Sequence, residues 1–435
     1  MQRSRLLGKQ LLIFGAVFFI AFCSVAPSGG LLSTRLWRAA EAQTPPPAVS
    51  MTWMSVTNWY FEMNGIKIVT DGFISRVPRG NGGAPFPPDV EAVQRVLDAI
   101  GGEVDVIVAG HSHGDHTLDT AAWARLTGAQ IIGARTTCLQ ALAQGIPESQ
   151  CTIVEGGEFF DLGNGVTVRV VRWNHSGDIN TPAGVRLQAP LELINAPVPD
   201  PVNGGLRPSI LTDFPNGGGA RAFLFSIDHA ERQLQVFFAN TGNAGTFESP
   251  RNVDEQFFEE HSATPLESNL EIVTETISAR AHLEAAMADA GIDSVDVWLG
   301  IGFGTISGSS TNLSRFAAHI IQPRAYIPHH WDDFRAPSFF DGLTRAWTNE
   351  GLEEFWTSMD VPFFIQGQYM DKYILEPSGI TFDINSEVKA ALGLPDVAVI
   401  PMDTASEIEA DEPECLCLHD IGMQRPDLPD FSASR

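Results

Sequence analysis

The chain has 435 residues, of which 44% are hydrophobic and 18% charged, a globular composition that argues against a largely disordered chain. Its net charge of −26 at pH 7 would repel a phosphate backbone, which argues against a nucleic-acid partner. An anionic small molecule stays compatible with this charge, because a local metal site outweighs the overall field at short range.

The first 42 residues have the composition of an export signal. Three basic residues precede a nearly continuous apolar run over 11–26, which is shorter than the ~20 residues that a spanning helix needs. We predict a signal peptide or an uncleaved signal anchor over 1–42 and a linker over 43–50. The protein is therefore expected to be exported, periplasmic or secreted, and to meet a membrane only if the anchor is retained.

The predicted core begins with a hairpin, in which apolar strands over 56–63 and 66–70 flank Asn64-Gly65, a strong two-residue turn signal. This strand pair and the strand–helix alternation that follows it predict α/β layering. The other predicted elements of the first half are a helix between its N-cap Asp89 and Gly101, a strand over 104–109, a helix over 117–126 and a strand over 130–133.

The second half repeats this organisation without repeating the sequence. Its predicted elements are a strand over 166–173, a hairpin over 223–239, a helix over 277–290 closed by Gly291, and short strands over 295–299 and 325–327. The connection over 189–219 is rich in Pro, Gly and Asn, and its length is typical either of a functional loop, such as a lid, or of a disordered segment. Residues 376–435 are predicted to be a C-terminal extension, packed on the core or partly disordered.

Two cysteines flank a short segment in the first half. Twelve residues separate Cys138 from Cys151, and an exported protein matures in an oxidising compartment. We therefore predict a disulfide between them.

The strongest chemical signal is the run His111-Ser112-His113-Gly114-Asp115-His116, directly after the buried strand over 104–109. Imidazole and carboxylate are zinc ligands, and α/β sheets place their ligands at strand ends. His111 and His113 alternate and so face one metal, whereas Asp115 and His116 lie past the turn and face another. A solvated polar loop is the alternative, but three His and one Asp within six residues are improbable in a chain with 11 His.

This H-x-H-x-D-H series resembles the signature of the metallo-β-lactamase superfamily. The similarity extends over about residues 51–375, and the sequence around Ile327-Pro328-His329-His330-Trp331-Asp332 is similar to the branch that includes ascorbate-6-phosphate lactonases. The resemblance implies an α/β fold, a four-layer αββα sandwich, with residues 51–375 as its catalytic domain.

The resemblance also implies a set of site residues. Asp71 stands where the family has a structural aspartate, although a plain turn residue is the alternative. Asn243 stands where the family has a bridging aspartate, and a neutral amide supplies no bridging charge, which predicts one tight metal and one weak or absent metal. The implied ligands are His111, His113 and His175 for one metal, and Asp115, His116 and His330 for the other, with Asn243 between them.

Two questions about the site stay open at this level. His329 and His330 compete for one ligand position, and the motif register favours His330. Trp173 and Trp331 adjoin proposed ligands, and either wall a substrate pocket or belong to the core.

The predicted function is hydrolysis of a small-molecule ester, lactone or amide by metal-activated water. The metal is expected to be Zn²⁺, as one or two ions, or Mn²⁺, and Asp115 is expected to orient the nucleophile and carry its proton. The alternatives are a catalytically weak metal-binding or interaction protein, indicated by Asn243, and a metal-dependent oxidoreductase. The oxidoreductase ranks last, because diiron members of the fold usually carry Glu at the position of His113.

Overall fold

The structure, a computed structural model, describes residues 48–398 and 402–403, except for 79–80, 82, 176–178, 181–185, 188–189, 210, 216–219, 243, 245–246, 249–253, 263, 303–308, 333–337, 345 and 348. The predicted leader over 1–42, most of the predicted linker, the candidate ligand Asn243 and residues 404–435 of the predicted extension lie outside the described residues. Among the helices that the structure describes, none has the length and apolarity needed to cross a bilayer.

Strands and helices alternate along the described chain. The strands are β1 (Val49–Trp53), β2 (Trp59–Met63), β3 (Ile66–Thr70), β4 (Val106–Val108), β5 (Gln130–Gly133), β6 (Cys151–Ile153), β7 (Phe159–Gly163), β8 (Val166–Arg172), β9 (Ile179–Asn180), β10 (Arg186–Leu187), β11 (Leu191–Leu193), β12 (Arg221–Ile227), β13 (Leu234–Ala239), β14 (Leu270–Ile272), β15 (Val297–Ile301), β16 (Tyr326–His329), β17 (Ala346–Trp347), β18 (Lys372–Glu376), β19 (Gly379–Asp383) and β20 (Met402–Asp403). The helices are α1 (Val90–Ala99), α2 (Gly114–Thr117), α3 (Thr120–Thr127), α4 (Arg135–Ala143), α5 (Glu255–His261), α6 (Ala279–Ala290), α7 (Ser309–Ile321), α8 (Glu350–Ser358) and α9 (Ser386–Leu392).

Two large mixed sheets organise the described strands. Sheet A has the order β19-β18-β1-β2-β3-β4-β5-β6, and sheet B has the order β16-β15-β13-β12-β8-β7. In sheet A β3 to β6 run parallel, and in sheet B β13, β15 and β16 run parallel. The antiparallel pairs β8–β12 and β12–β13 give β8 the direction of β13, so the carboxyl ends of these strands share one edge of sheet B.

The two sheets face each other across an aromatic core. Phe61 of β2 makes edge-to-face contacts with Phe225 of β12 and Phe238 of β13, at ring-centroid distances of 5.9 and 6.3 Å. The neighbouring residues Leu224 and Phe237 belong to a second core on the other face of sheet B. Because side chains alternate along a strand, β12 and β13 are apolar on both faces and sheet B is buried between two layers.

Helices cover the outer face of each sheet. Helices α1, α3, α4 and α9 contribute buried side chains to the core on sheet A, and α6, α7 and α8 contribute to the core on the outer face of sheet B. The described residues therefore form the four-layer αββα sandwich that the resemblance implied.

Elements that depend on local chemistry lie where the sequence predicts them. The hairpin turn is confirmed: Asn64 and Gly65 have φ of 48° and 83°, as the mirror-image turn of a two-residue hairpin requires. Helix α1 is also confirmed, and the side chain of its N-cap Asp89 accepts a hydrogen bond from Ala92 N. Helix α6 ends at Gly291 with φ of 68°, a left-handed cap that favours glycine.

The core extends beyond the predicted limits at both ends. Strand β1 begins at Val49, two residues inside the predicted linker, and pairs with β18. Strand β19 and helix α9 lie in the predicted extension after residue 375, where β19 pairs with β18 and α9 packs on α1. This part of the extension packs on the core, because β18 and β19 complete the edge of sheet A.

The disulfide predicted from the cysteine spacing is confirmed. Cys138 of α4 is bonded to Cys151 of β6, with their Cα atoms 5.6 Å apart. The bond ties the outer helix layer to the edge of sheet A.

Candidate metal centre

The His-rich motif turns back on itself immediately after β4. His113 is the extended N-cap of α2, and its carbonyl oxygen accepts hydrogen bonds from the backbone N–H groups of His116 and Thr117 at 3.0 and 2.9 Å. This turn separates the side chains before the helix, His111 and His113, from Asp115 and His116 within it. All four are buried, although Asp115 keeps 6% of its surface exposed.

Three imidazoles from both sheets form a first group. His111 and His113 follow β4 of sheet A, and His175 follows β8 of sheet B. The ring of His175 lies 4.5 Å from that of His111 and 4.6 Å from that of His113, measured between centroids. One nitrogen from each ring lies within 4.8 Å of the other two, close enough for all three to bind one ion.

Asp115, His116 and His330 form a second group. Asp115 Oδ2 lies 3.5 Å from His116 Nε2 and 3.3 Å from His330 Nε2. The three donor atoms again lie within 4.8 Å of one another. The rings of His111 and His116 are 3.9 Å apart between centroids, so the two groups adjoin.

The electrostatics of both groups suit cations. Burial, followed by the neighbouring imidazoles of His116 and His175, holds the pKa of His111 well below its usual value, which keeps the ring neutral and able to donate a lone pair. Burial alone would lower the pKa of His116, but the carboxylates of Asp115 and Asp71 outweigh it and raise that pKa. The position of His116 Nε2 therefore favours positive charge, which a proton or a metal ion supplies.

The carboxylate of the second group is held ionised. Burial would raise the pKa of Asp115, but the nearby His116 and His330 outweigh it and keep the pKa well below its usual value. Within the described residues, His116 Nε2 is buried without a hydrogen-bond partner. A buried polar atom without a hydrogen bond is costly, and a bound cation would satisfy it, so the residues present fit a metal.

Asp71 lies on the Nδ1 side of the His116 ring, away from the Nε2 atom that faces the second group. It follows β3, is fully buried, and has a left-handed φ of 57°. Its Oδ1 accepts a hydrogen bond from Gly110 N at 2.8 Å, and its Oδ2 accepts one from Asn240 Nδ2 at 2.9 Å and lies 3.0 Å from His116 Nδ1. A carboxylate at Nδ1 favours the tautomer that leaves Nε2 as the metal donor.

The structure distinguishes His329 from His330. Trp59 Nε1 lies 3.0 Å from His329 Nδ1, and His329 Nε2 lies 3.0 Å from the carbonyl oxygen of Ala239. Both ring nitrogens of His329 are therefore used in hydrogen bonds within the core. His330 is the residue that joins Asp115 and His116, as the motif register indicated.

Part of the long connection lies against the motif. A Cβ added to Gly114 would lie 3.1 Å from Pro208 Cβ, and Ser112 Oγ donates to the carbonyl oxygen of Pro215. Gln140 Nε2 donates to Ser112 O at 3.1 Å and to Asp213 O at 2.7 Å, which ties this segment to α4. The described residues 206–215 thus form a wall over α2.

The two tryptophans that adjoin candidate ligands belong to the core. Trp173 donates to the carbonyl oxygen of Thr241 at 2.7 Å, and Trp331 stacks on Trp53 and donates to Gln366 at 2.7 Å. Each is only 1% exposed and belongs to one of the two hydrophobic cores.

Sequence reasoning assigned no role to three polar residues behind the second group. Asn240 donates to Asp71, Thr57 Oγ1 lies 2.7 Å from His116 Nδ1, and Asp332 binds the turn before β2. Asn240 comes directly after β13, a strand-end position that would have singled it out. Thr57 carries no such signal, because its contacts come from other parts of the chain.

Comparisons with known proteins find partial similarity to metal-dependent hydrolases. No family model matches the chain. It is 27% identical over 142 residues to a UPF0173 metal-dependent hydrolase of Pyrobaculum neutrophilum, a match that covers 33% of this chain and 57% of the relative. It is 33% identical over 127 residues to a UPF0173 metal-dependent hydrolase of Staphylococcus saprophyticus, covering 29% and 48%. The chain thus spans about half the length of these curated relatives.

Several solved structures are similar to this chain, with low sequence identities and low TM-scores. A metallo hydrolase of Ignicoccus hospitalis, Igni18, is 15% identical and has a TM-score of 0.38, over 77% of this chain and 98% of that one. The metallo-β-lactamase fold protein YhfI of Bacillus subtilis is 9% identical, with a TM-score of 0.37 over 74% and 98%. The described residues thus form an αββα sandwich, the arrangement that the metallo-β-lactamase resemblance implied, with two adjoining groups of candidate metal ligands.

Proposed function

We propose that the protein is a metal-dependent hydrolase that acts on a small-molecule ester, lactone or amide. The observation that carries the proposal is the pair of adjoining buried groups, His111/His113/His175 and Asp115/His116/His330, at the carboxyl ends of strands from both sheets. The curated relatives, which are named metal-dependent hydrolases, support the same activity.

The donor chemistry favours zinc, with manganese as the second choice. Five imidazoles and one carboxylate make a donor set that is rich in nitrogen, which zinc binds readily. When bound, a divalent cation supplies Lewis acidity: it makes water a stronger acid and draws electron density from a carbonyl or phosphoryl group.

The protein's own contribution is to orient the reactants and to hold a proton. Asp115 is ionised, and its Oδ2 faces the two imidazoles of its group. We assign the proton-holding role to Asp115 Oδ1, which would accept a proton from the attacking water, leaving the electron pair on the oxygen that attacks, and would then give that proton to the leaving group. Pro208 and Phe214, which lie against α2 at Gly114, would exclude bulk water from this step.

Charge, cysteine chemistry and the N-terminal composition support a proposal for the setting of the reaction. We propose an exported, periplasmic or secreted enzyme, supported by the composition of residues 1–42 and by the Cys138–Cys151 disulfide. The net charge of −26 supports a small-molecule substrate rather than a nucleic acid.

The test is a metal analysis combined with a panel of chromogenic esters, lactones, amides and phosphodiesters. The chelated protein should be inactive, and adding Zn²⁺ or Mn²⁺ should restore hydrolysis. His113→Ala should abolish activity, whereas the matched control His229→Ala, in the turn between β12 and β13 at the opposite edge of sheet B, should retain it. Full activity without metal would refute the proposal, and bound metal with no hydrolysis would favour the metal-binding alternative.

A further inference from the structure

Three non-glycine residues in or next to the second group adopt left-handed backbone conformations. Ser55, Val56 and His330 have φ of 82°, 46° and 57°. A positive φ is rare for any residue with a Cβ and is an outlier for a β-branched one such as valine. Such conformations persist only where the surroundings hold them in place, and they cluster at functional sites.

Asp332 holds the Ser55–Val56 turn. Its Oδ1 accepts a hydrogen bond from Val56 N at 3.0 Å, and its Oδ2 accepts one from Ser55 Oγ at 2.9 Å and one from Tyr369 Oη at 2.9 Å. Arg76 Nη2 donates to Ser55 Oγ at 2.8 Å, which extends the chain of bonds. Asp332 and Ser55 are fully buried, and hydrogen bonds to a buried carboxylate are strong.

The same turn contacts two members of the second group. The carbonyl oxygen of Val56 accepts hydrogen bonds from His330 N at 2.8 Å and from Trp53 Nε1 at 3.0 Å. The next residue, Thr57, places its Oγ1 2.7 Å from His116 Nδ1 and 2.5 Å from the Oδ2 of Asp71. The turn thus fixes the backbone of His330 and the ring of His116 together.

We propose that Asp332 is a positioning residue for the Asp115/His116/His330 group, acting through the strained turn of Ser55 and Val56. This inference rests on the proposed function, because it takes that group to be a metal site. The His111/His113/His175 group is held mainly by β4 and β8, and the turn reaches it indirectly, through Asp71 and the ring of His116.

Replacing Asp332 by asparagine keeps the shape of the side chain but removes its charge. One of its two polar atoms then becomes a donor and faces the Val56 N–H or the hydroxyl donors of Ser55 and Tyr369. The turn would relax towards an ordinary φ, and the carbonyl of Val56 would move away from His330 N. The result would be a looser second group and an unchanged first group.

The experiment is a titration of the metal-free full chain with Co²⁺ alone, in which binding is measured by calorimetry and by visible absorption. Wild type should show two binding events, one tight and one weaker, because Asn243 supplies no bridging charge. Asp332→Asn should weaken one of them about 10–100-fold, the usual effect of removing a residue that supports a ligand, and leave the other within about twofold. The matched control is Asp296→Asn, a buried carboxylate that binds Arg232 and Gln235 N at the opposite end of β15. It should lower the melting temperature and leave both events unchanged.

A milder variant keeps the test informative if Asp332→Asn does not fold. Tyr369→Phe removes one hydrogen bond to Asp332 and retains the ring, so it should weaken the same event by a smaller factor. If either variant weakens both events equally, or weakens neither, the positioning role is overturned. If wild type binds no Co²⁺ at all, the proposed function fails instead.

Discussion

Asp71→Asn is the most informative single substitution at the candidate centre. The carboxylate accepts hydrogen bonds from Gly110 N, Asn240 Nδ2 and Thr57 Oγ1, and it lies 3.0 Å from His116 Nδ1. An asparagine cannot satisfy both sides: its amide group would face either Gly110 N or the donors at Oδ2. Leaving one buried donor unsatisfied costs about 1–3 kcal/mol, so the metal-free variant should be destabilised by that amount.

The substitution should also reduce metal affinity at the second group. Without the carboxylate that accepts from Nδ1–H, the tautomer of His116 with its proton on Nδ1 is less favoured. The other tautomer, whose proton on Nε2 prevents that nitrogen from binding a metal, becomes populated. Loss of such a supporting residue typically lowers metal affinity about 10–100-fold, or about 1.4–2.8 kcal/mol. Titration of metal-free protein with Zn²⁺ would measure this, and denaturant unfolding would measure the stability.

Asp119→Asn provides the matched control for Asp71→Asn. Asp119 is equally buried and accepts hydrogen bonds from Ile74 N, Ser75 N and Ser75 Oγ, each at 2.6 Å. None of these bonds involves a candidate ligand. We expect a comparable loss of stability and an unchanged metal affinity. The tautomer argument would be refuted if Asp71→Asn behaved in the same way as this control.

Three further outcomes are expected. Burial raises the pKa of Asp119 to about 6 from its ordinary 3.8. The folded protein therefore binds an extra proton below about pH 6, and the stability that this proton contributes is lost as the pH rises through that value, so the stability difference between wild type and Asp119→Asn should fall by roughly 1.4 kcal/mol from pH 5 to 7.5. A constant difference in unfolding experiments would contradict this. Replacing Cys138 and Cys151 by serine should lower the free energy of unfolding by about 3 kcal/mol, the chain-entropy value for a loop of this length, and denaturant curves that coincide with wild type would show the reasoning wrong. Asn243→Asp should raise metal occupancy towards two ions by elemental analysis, because it adds a bridging charge that the wild-type sequence lacks; two equally tight ions in wild type would count against it.

The sequence by itself determined the elements and donors whose signals are local. The Asn64-Gly65 turn, the Asp89 cap of α1 and the Gly291 end of α6 each depend on the backbone preferences of a few adjacent residues. The H-x-H-x-D-H series also lies within six residues, which is why the sequence alone indicates four of the candidate ligands.

Only the tertiary structure decided which neighbouring groups complete the site. Whether His329 or His330 faces the second group depends on Trp59, which bonds to His329 from 270 positions away. Strand β18 likewise pairs with β1 from the other end of the chain, and β19 pairs with β18 to form the edge of sheet A. The hydrogen bonds of Asp332 also depend on tertiary structure, since its partners Ser55 and Val56 are more than two hundred residues distant in sequence. Long-range pairing leaves no local pattern in the sequence, because the partner of each hydrogen-bonding group and strand edge is decided only when distant segments of the chain pack together.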